Sequence, residues 1–362
     1  MNISEILTPR AIAAQYTEVA SNRIPYLGEA LFPAAKKMGL DLNTIKGHKG
    51  LNVHLHPSNF DAKAKLRSRN GFKAEHREMA FFREGMLVSE KDQQDIMRVR
   101  EANDPYALDV LRHVFDDVNT LVDAAILVPE IMRMQLLFGL NMEGMSATLR
   151  HIGILIAAEE NRNTYMYDYD PEGEYSENNY SVVDNAWGTA DAAPLTDMSA
   201  MQTHIENATG TRPTMAIMNR VTFNKMLKSD EVRNAILAQN VNANIFLSDA
   251  VVREVLSKSI GIRPVIYDKV YKAEDGSVVK LVPDDLVSLV PDGPLGRTWF
   301  GTTPEERGVP GTQIVHTGVA ISVIEHQNPV NTETVVSEIV LPSYERMSET
   351  ALINVKGEQA AG

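Results

Sequence analysis

LNVHLHPSNFDAKAKLRSRNGFKAEHREMAFFREGMLV, residues Leu51 to Val88, is the stretch on which the reading of this chain turns. Its middle, Asn59 to Arg77, carries six basic residues, Lys63, Lys65, Arg67, Arg69, Lys73 and Arg77, against two acids, Asp61 and Glu75, in a chain of formal net charge -13. A basic tip is therefore expected to project from an acidic protein. A segment of this length with no apolar run at its tip cannot build a core of its own, and such loops are functional or disordered. The six basic residues are candidate contact residues. Their natural partner is an acidic surface, for instance that of a second copy of the same chain.

Before this segment, residues 1–50 hold scattered apolar residues, Pro25, Pro33, Gly28 and Gly39 with no sustained period, and read as an arm lying on something else. After it, a long helical pattern opens at Asn103 or Asp104 with Pro105 at the first helical position. Leu111, Val114, Phe115, Val118, Leu121, Val122, Ala125 and Ile126 recur at helical spacing, and the pattern runs on to Gly139, a C-terminal cap, with Pro129 as an expected kink. A helix of more than thirty residues would act as a spine. Strands are expected within Ala147 to Ala158 and Thr164 to Tyr169, then an exposed acidic loop from Asp170 to Asn185.

From Trp187 the pattern changes to alternating helices and strands. Helices are expected near Asp197 to Ala208 and Arg220 to Leu237. Strands are expected at Thr214 to Met218, Val265 to Tyr267, Val278 to Val282 and Leu286 to Pro291, giving a compact α/β domain. Val319 to His326, Thr334 to Leu341 and Ala351 to Val355 read as closing strands.

With 362 residues, 44% hydrophobic and 23% charged, the composition is that of a folded globular chain with room for two or three domains. No apolar run approaches a membrane span, and Met1 to Arg10 lacks the pattern of a signal peptide. Zero cysteines exclude disulfides and thiolate chemistry and suit synthesis in a reducing cytoplasm. The acidic balance argues against extensive phosphate contact, so the basic tip is not read as a DNA reader.

The sequence assigns no catalytic, cofactor-binding or metal-ligating residue. His54 and His56 lie two apart on an expected strand, but Pro57 follows and no third ligand stands at a metal spacing, so they read as a solvated face. PDGPLG (Pro291 to Gly296) and GTTPEERGVPG (Gly301 to Gly311) match no phosphate or dinucleotide loop and read as plain loops. Asp116 and Asp117, with Asp123, are not a catalytic pair, since consecutive helical residues point about 100° apart. Asn207-Ala208-Thr209 fits a glycosylation sequon without an export signal to give it meaning. An arm, a projecting basic loop, a spine helix and one compact α/β domain together describe a chain whose extended parts demand a partner.

The order of LFP (Leu31 to Pro33), Gly39-Leu40, IKG (Ile45 to Gly47), SNFDAKAKLRSRNGF (Ser58 to Phe72) and MAFFREGMLVSEKDQQD (Met79 to Asp95) resembles the major capsid proteins of lambda-like tailed phages, the major capsid protein E family. RMQLLFG (Arg133 to Gly139) and WGTADAAPLTDM (Trp187 to Met198) are similar to the same family. The resemblance implies an α+β, Hong Kong 97-like capsid fold. Its parts would be an N-terminal arm (1–50), an extended loop reaching over a neighbour (51–89), and a peripheral domain with the spine helix (90–186). An axial domain (187–316) and C-terminal strands returning to the peripheral domain (317–362) would complete it.

It further implies a structural protein, not an enzyme and without cofactors, found in the virion. Its copies would form hexamers and pentamers in an icosahedral shell around double-stranded DNA, with no sequence-specific grip on the DNA and no membrane. A portal, a decoration protein and a separate scaffolding protein are the implied partners, unless the chain is a form already processed. The same fold serves encapsulin-like nanocompartments, and a cytosolic α/β enzyme is the remaining alternative class. Some relatives join a loop lysine to a neighbour's asparagine. Lys63, Lys65 and Lys73 with Asn328 and Asn331 offer the residue types, but such residues are common, and the expectation is no cross-link and a single denatured band near 40.1 kDa.

Overall fold

The computed structural model describes residues 8–20, 25–47, 72–88, 90, 105–141, 150–157, 164–239, 249–273 and 275–357. The chain divides into two compact units, one of residues 1–44, 75–132 and 296–343, the other of 45–74, 133–295 and 344–362.

The first unit is built on one sheet. Strands β1 (Ala34–Lys36), β13 (Gly296–Phe300), β16 (Val330–Tyr344), β15 (Val319–Gln327) and β14 (Gln313–Val315) follow in that order, and β4 (Ala80–Val88) also pairs with β16. The β15–β16 hairpin runs in antiparallel register from Gln327↔Val330 to Ala320↔Ser337, and β4 lies on β16 from Val88↔Thr332 to Val340↔Ala80. At the β14–β15 turn His316 and Thr317 take positive φ, and Gly318 follows where a Cβ would lie 2.0 Å from the Phe300 ring. Only glycine fits there.

Two helices cover this sheet. Helix α1 (Pro9–Ala20) places Ile12 and Tyr16 in a buried cluster with Val315, Val319, Ile321 and Val336, joined by Leu121, Val122 and Ile126 of the long helix α3 (Pro105–Phe138). The Tyr16 hydroxyl donates to Asp123 at 3.1 Å. The short helix α2 (Leu27–Leu31) is held by buried Glu130 of α3, which accepts the Gly28 amide at 3.0 Å. The N-terminal stretch that lacks periodicity thus folds back onto its own subunit. Helix α3 belongs to the first unit up to Met132 and to the second from Arg133, and ends at Gly139, whose φ of 62° makes the left-handed cap.

The second unit holds a five-stranded sheet in the order β7 (Tyr180–Val182), β17 (Ala351–Asn354), β12 (Leu286–Val290), β8 (Met215–Met218) and β9 (Arg263–Ile266). The outer pairs β7–β17 and β8–β9 are parallel, and the inner pairs antiparallel. Helices α5 (Pro194–Thr209), α6 (Arg220–Met226), α7 (Asp230–Gln239) and α8 (Asp249–Ser259) contribute Met198, Ile205, Phe223, Met226, Val232, Ile236, Val252, Val255 and Leu256 to the same apolar core as the sheet. A ribbon of β5 (Gly153–Ile156) and β6 (Tyr165–Asp168) is tied to α3 by the Gln135 amide, which accepts from the Leu155 amide at 3.0 Å and donates to its carbonyl at 2.9 Å.

Several expectations need correction. Residues 170–185 are not an exposed loop. Asp170 is 5% exposed and accepts the amides of Tyr175 and Ser176, each at 3.0 Å, so it caps helix α4 (Glu174–Asn178), and β7 follows at once. The helix expected over Arg220 to Leu237 is two, because buried Ser229 accepts the Val232 amide at 3.3 Å and starts α7 afresh. Helix α8 was not foreseen. The Gly/Pro-rich segments 291–311 frame strand β13 and contain helix α9 (Pro304–Gly308), so they are not plain loops. By compact unit, β13, α9 and β14 fall in the first, and the last strand, β17, is an inner strand of the second unit's sheet.

Candidate functional site

The extended segment is framed by β2 (Asp41–Gly47) and β3 (Phe72–Glu78), which pair as a two-stranded ribbon. Its base closes where the Met79 amide donates to the Leu40 carbonyl at 2.8 Å, and Met79 itself is 2% exposed. The chain then enters the first unit's sheet as β4, so the excursion springs from a fixed base. Of the six candidate contact residues, Lys63, Lys65, Arg67 and Arg69 lie outside the described residues, as do His54 and His56. Lys73 is placed on β3 by its backbone, and Arg77 is half-buried near the end of that strand.

Asp116 and Asp117 lie on α3 with side chains outside the described set, and Asp123 serves Tyr16. Among the described residues no group of three or more His, Cys, Asp or Glu could hold a metal ion, and no helix is long and apolar enough to cross a membrane.

What the second unit offers is surface. Its five-stranded sheet has one edge at β7 and the other at β9. On the β7 side Glu174 and Glu177 are exposed on α4, and Asp184 directly follows the strand, also exposed. Asp197, further on, is half-buried. Burial pushes its carboxyl above the usual range against the donated Trp187 indole N–H at 2.8 Å, with Glu231 and Asp184 adding repulsion in the same upward direction. On the β9 side Arg263 opens the strand, Arg253 is exposed on α8, and the hairpin of β10 (Val270–Lys272) and β11 (Val278–Lys280) follows with Lys272 and two exposed valines, Val270 and Val278. Sequence reading saw the acidic stretch as a loop and gave the β9 side no role. Sheet order, which no local pattern encodes, is what sets the two on opposite edges.

A long helix, a six-stranded sheet in one unit, a five-stranded α/β sheet in the other, and a two-stranded ribbon make a Hong Kong 97-like phage capsid fold. The putative capsid protein of an E. coli CFT073 prophage shares it at 12% identity and a TM-score of 0.58, over 96% of this chain and 99% of that one. A phage-related protein from Bordetella bronchiseptica RB50 shares it at 13% identity and 0.56, over 95% and 97%. At such identities the likeness speaks for the fold alone. No curated protein gives a significant sequence match. The family described as phage major capsid protein E matches residues 9–351, and the chain belongs to it. It is a structural protein of the phage head shell, in the virion, and not an enzyme. Between a phage head, an enzyme-loaded compartment and a cytosolic enzyme, the family match selects the head.

Proposed function

We propose that copies of this chain close an icosahedral shell from rings of six and five around double-stranded DNA, and that the basic extended loop fastens each copy to its neighbour. The observation that carries the reading is the family match over residues 9–351. In this reading residues 1–50 are the arm and 51–89 the loop that reaches over the adjacent subunit. The α3-bearing part lies at the ring periphery, and the five-stranded sheet of the second unit lies towards the ring centre. A net charge of -13 per copy favours enclosure of DNA without tight or sequence-specific grip. A separate scaffolding protein, a portal and a decoration protein on the outer face are the partners this architecture calls for.

Electron microscopy of the purified full chain, alone and with scaffold, is expected to show capsomers or closed shells. A chain that stays monomeric under all these conditions overturns the reading. Within it, Arg67→Glu with Arg69→Glu turns attraction at the loop into like-charge repulsion. Assembly should fail at low salt, recover in part at high salt by screening, and leave unfolding of the subunit within about 0.5 kcal/mol of the parent. Normal shells from the double variant at low salt would remove the loop charges from the contact.

A further inference from the structure

Copies carrying thirteen excess negative charges repel one another, so any contact between them must bring unlike charge together locally. The second unit provides for this across its own sheet. No lysine or arginine occurs between Arg162 and Arg212, while nine carboxylates do. Of these, Glu174, Glu177 and Asp184 are exposed on or beside β7 and make no ion pair among the described residues. At the other edge Arg263, Arg253, on a helix packed against β9, and Lys272 are exposed and likewise lack a carboxylate partner among the described residues. Other charges nearby are internally matched: Arg220 with Asp249, Lys225 with Asp285, Lys258 with Glu254 at 2.6 Å and Lys280 with Asp284 at 2.8 Å. Five strands at about 4.8 Å set the two edges about 19 Å apart, some two Debye lengths at physiological ionic strength. The edges cannot neutralise each other within one subunit.

We infer that the β7 edge of one copy docks on the β9 edge of the next, acid against base, as a head-to-tail contact of the second unit. A heterologous contact of this kind closes into rings when its rotation allows. Strand addition has little to work with, since the amides of Arg263 and Tyr267 point to β8 and, of the outward positions of β9, Pro264 has no N–H to give and Ile266 alone presents an amide. Side chains carry the contact, with exposed Val270 and Val278 as its apolar part.

This rests on the shell reading above, and the test separates the two. Variant A carries Arg253→Glu, Arg263→Glu and Lys272→Glu, making both edges acidic. Variant B carries Glu174→Lys, Glu177→Lys and Asp184→Lys, making both edges basic. The combined variant exchanges the two edges. Circular dichroism and thermal melting verify folding, and sedimentation with electron microscopy reads assembly at low and raised salt. A and B are each expected to lose rings at low salt, with at least about a tenfold rise in the concentration needed for assembly. The combined variant should regain them. An equimolar mixture of A and B must alternate, so it should give even-membered rings and no five-membered ones. If the parent assembles and A, B and the combined variant assemble equally well, the edge contact is wrong and the shell reading stands. If the combined variant stays as defective as A and B while folded, the charges act elsewhere and the contact is likewise wrong. A parent that never assembles overturns both.

Discussion

The two sheets of this protein are held together by different physics. In the second unit β8, β12 and β17 are buried along nearly their whole length, and Ala216, Met218, Val287, Leu289, Ala351 and Ile353 pack against helices in one apolar cluster. In the first unit the long strand β16 buries Thr332, Thr334, Ser337, Glu338 and Ser343, and its neighbours bury Ser322 and Thr298. There, Glu305 of α9 is 5% exposed, pairs with Arg83 of β4 and accepts the Ser337 hydroxyl at 2.7 Å. Apolar contact is non-directional and tolerates any side chain of the right volume, whereas a buried carboxylate needs particular partners in place. The first unit's sheet also buries Val335, Val336, Ile339, Val340 and Leu341 on β16, so volume specifies one sheet, and volume together with pairing the other.

The largest effect expected of this contrast is a cavity in the second unit. Phe223 is fully buried in its core, and Phe223→Ala should lower stability by about 3–5 kcal/mol, while Phe223→Leu keeps most of the volume and should cost under about 1.5 kcal/mol. The two tryptophans make this measurable by unit, since Trp187 lies in the second and Trp299 in the first. Denaturant unfolding of a Trp299→Phe background, followed by Trp187 fluorescence, should show the shift. Equal and small losses from both variants would mean that the site repacks freely.

The first unit should respond to a missing partner. Arg83→Ala leaves the buried Glu305 carboxylate with the Ser337 hydroxyl alone, and an uncompensated buried charge is expensive. The Arg83 side chain is 48% exposed, which discounts the pair, so about 2–4 kcal/mol is expected in a Trp187→Phe background. Glu305→Gln keeps an acceptor for Ser337 and leaves Arg83 half in water, so it should cost less. If the order is reversed, the seam is held by the carboxylate's hydrogen bonds and not by charge compensation.

The same contrast explains what was legible in the sequence. Apolar runs at Thr214 to Met218 and Leu286 to Pro291 announced buried strands, and the 111–126 stripe announced α3, because burial writes itself as local pattern. The polar seam writes no such pattern. Glu305 sits in GTTPEERGVPG, which reads as a solvated loop, and only Arg83, far back in the chain, makes a buried acid sensible there. Asp170 misled in the same way, as an acid among turn residues whose role is to cap α4. The opposed charges of the β7 and β9 edges were in plain view as composition, but their opposition depends on strand order. The basic loop was the reverse case, conspicuous in sequence and with four of its six cations outside the described residues.

The smallest effect tests whether the apolar unit has a polar weakness of its own. Tyr344 and Tyr175 are buried in it, and the Tyr344 hydroxyl lies 2.7 Å from that of Thr350. Burial pushes both phenols well above the ordinary value near 10. For Tyr175 the neighbouring Tyr344 adds to the rise, the Thr350 hydrogen bond opposes it, and Asp170 adds a little more. The sign follows from linkage. Below about pH 10 both states hold the proton and the stability is fully present. As the pH rises towards the folded values, the unfolded chain gives up protons that the folded one retains, and stability is lost. Half a pH unit above the unfolded value, the two tyrosines together should cost about 1–2 kcal/mol, read through Trp187. Tyr344→Phe should remove about half of that alkaline loss while changing neutral stability by about 1 kcal/mol or less, because Thr350 retains its bond to the Met347 carbonyl at 2.7 Å. An alkaline slope unchanged in Tyr344→Phe would show that the phenol ionises as readily folded as unfolded, and that water reaches a part of the second unit that its packing closes off.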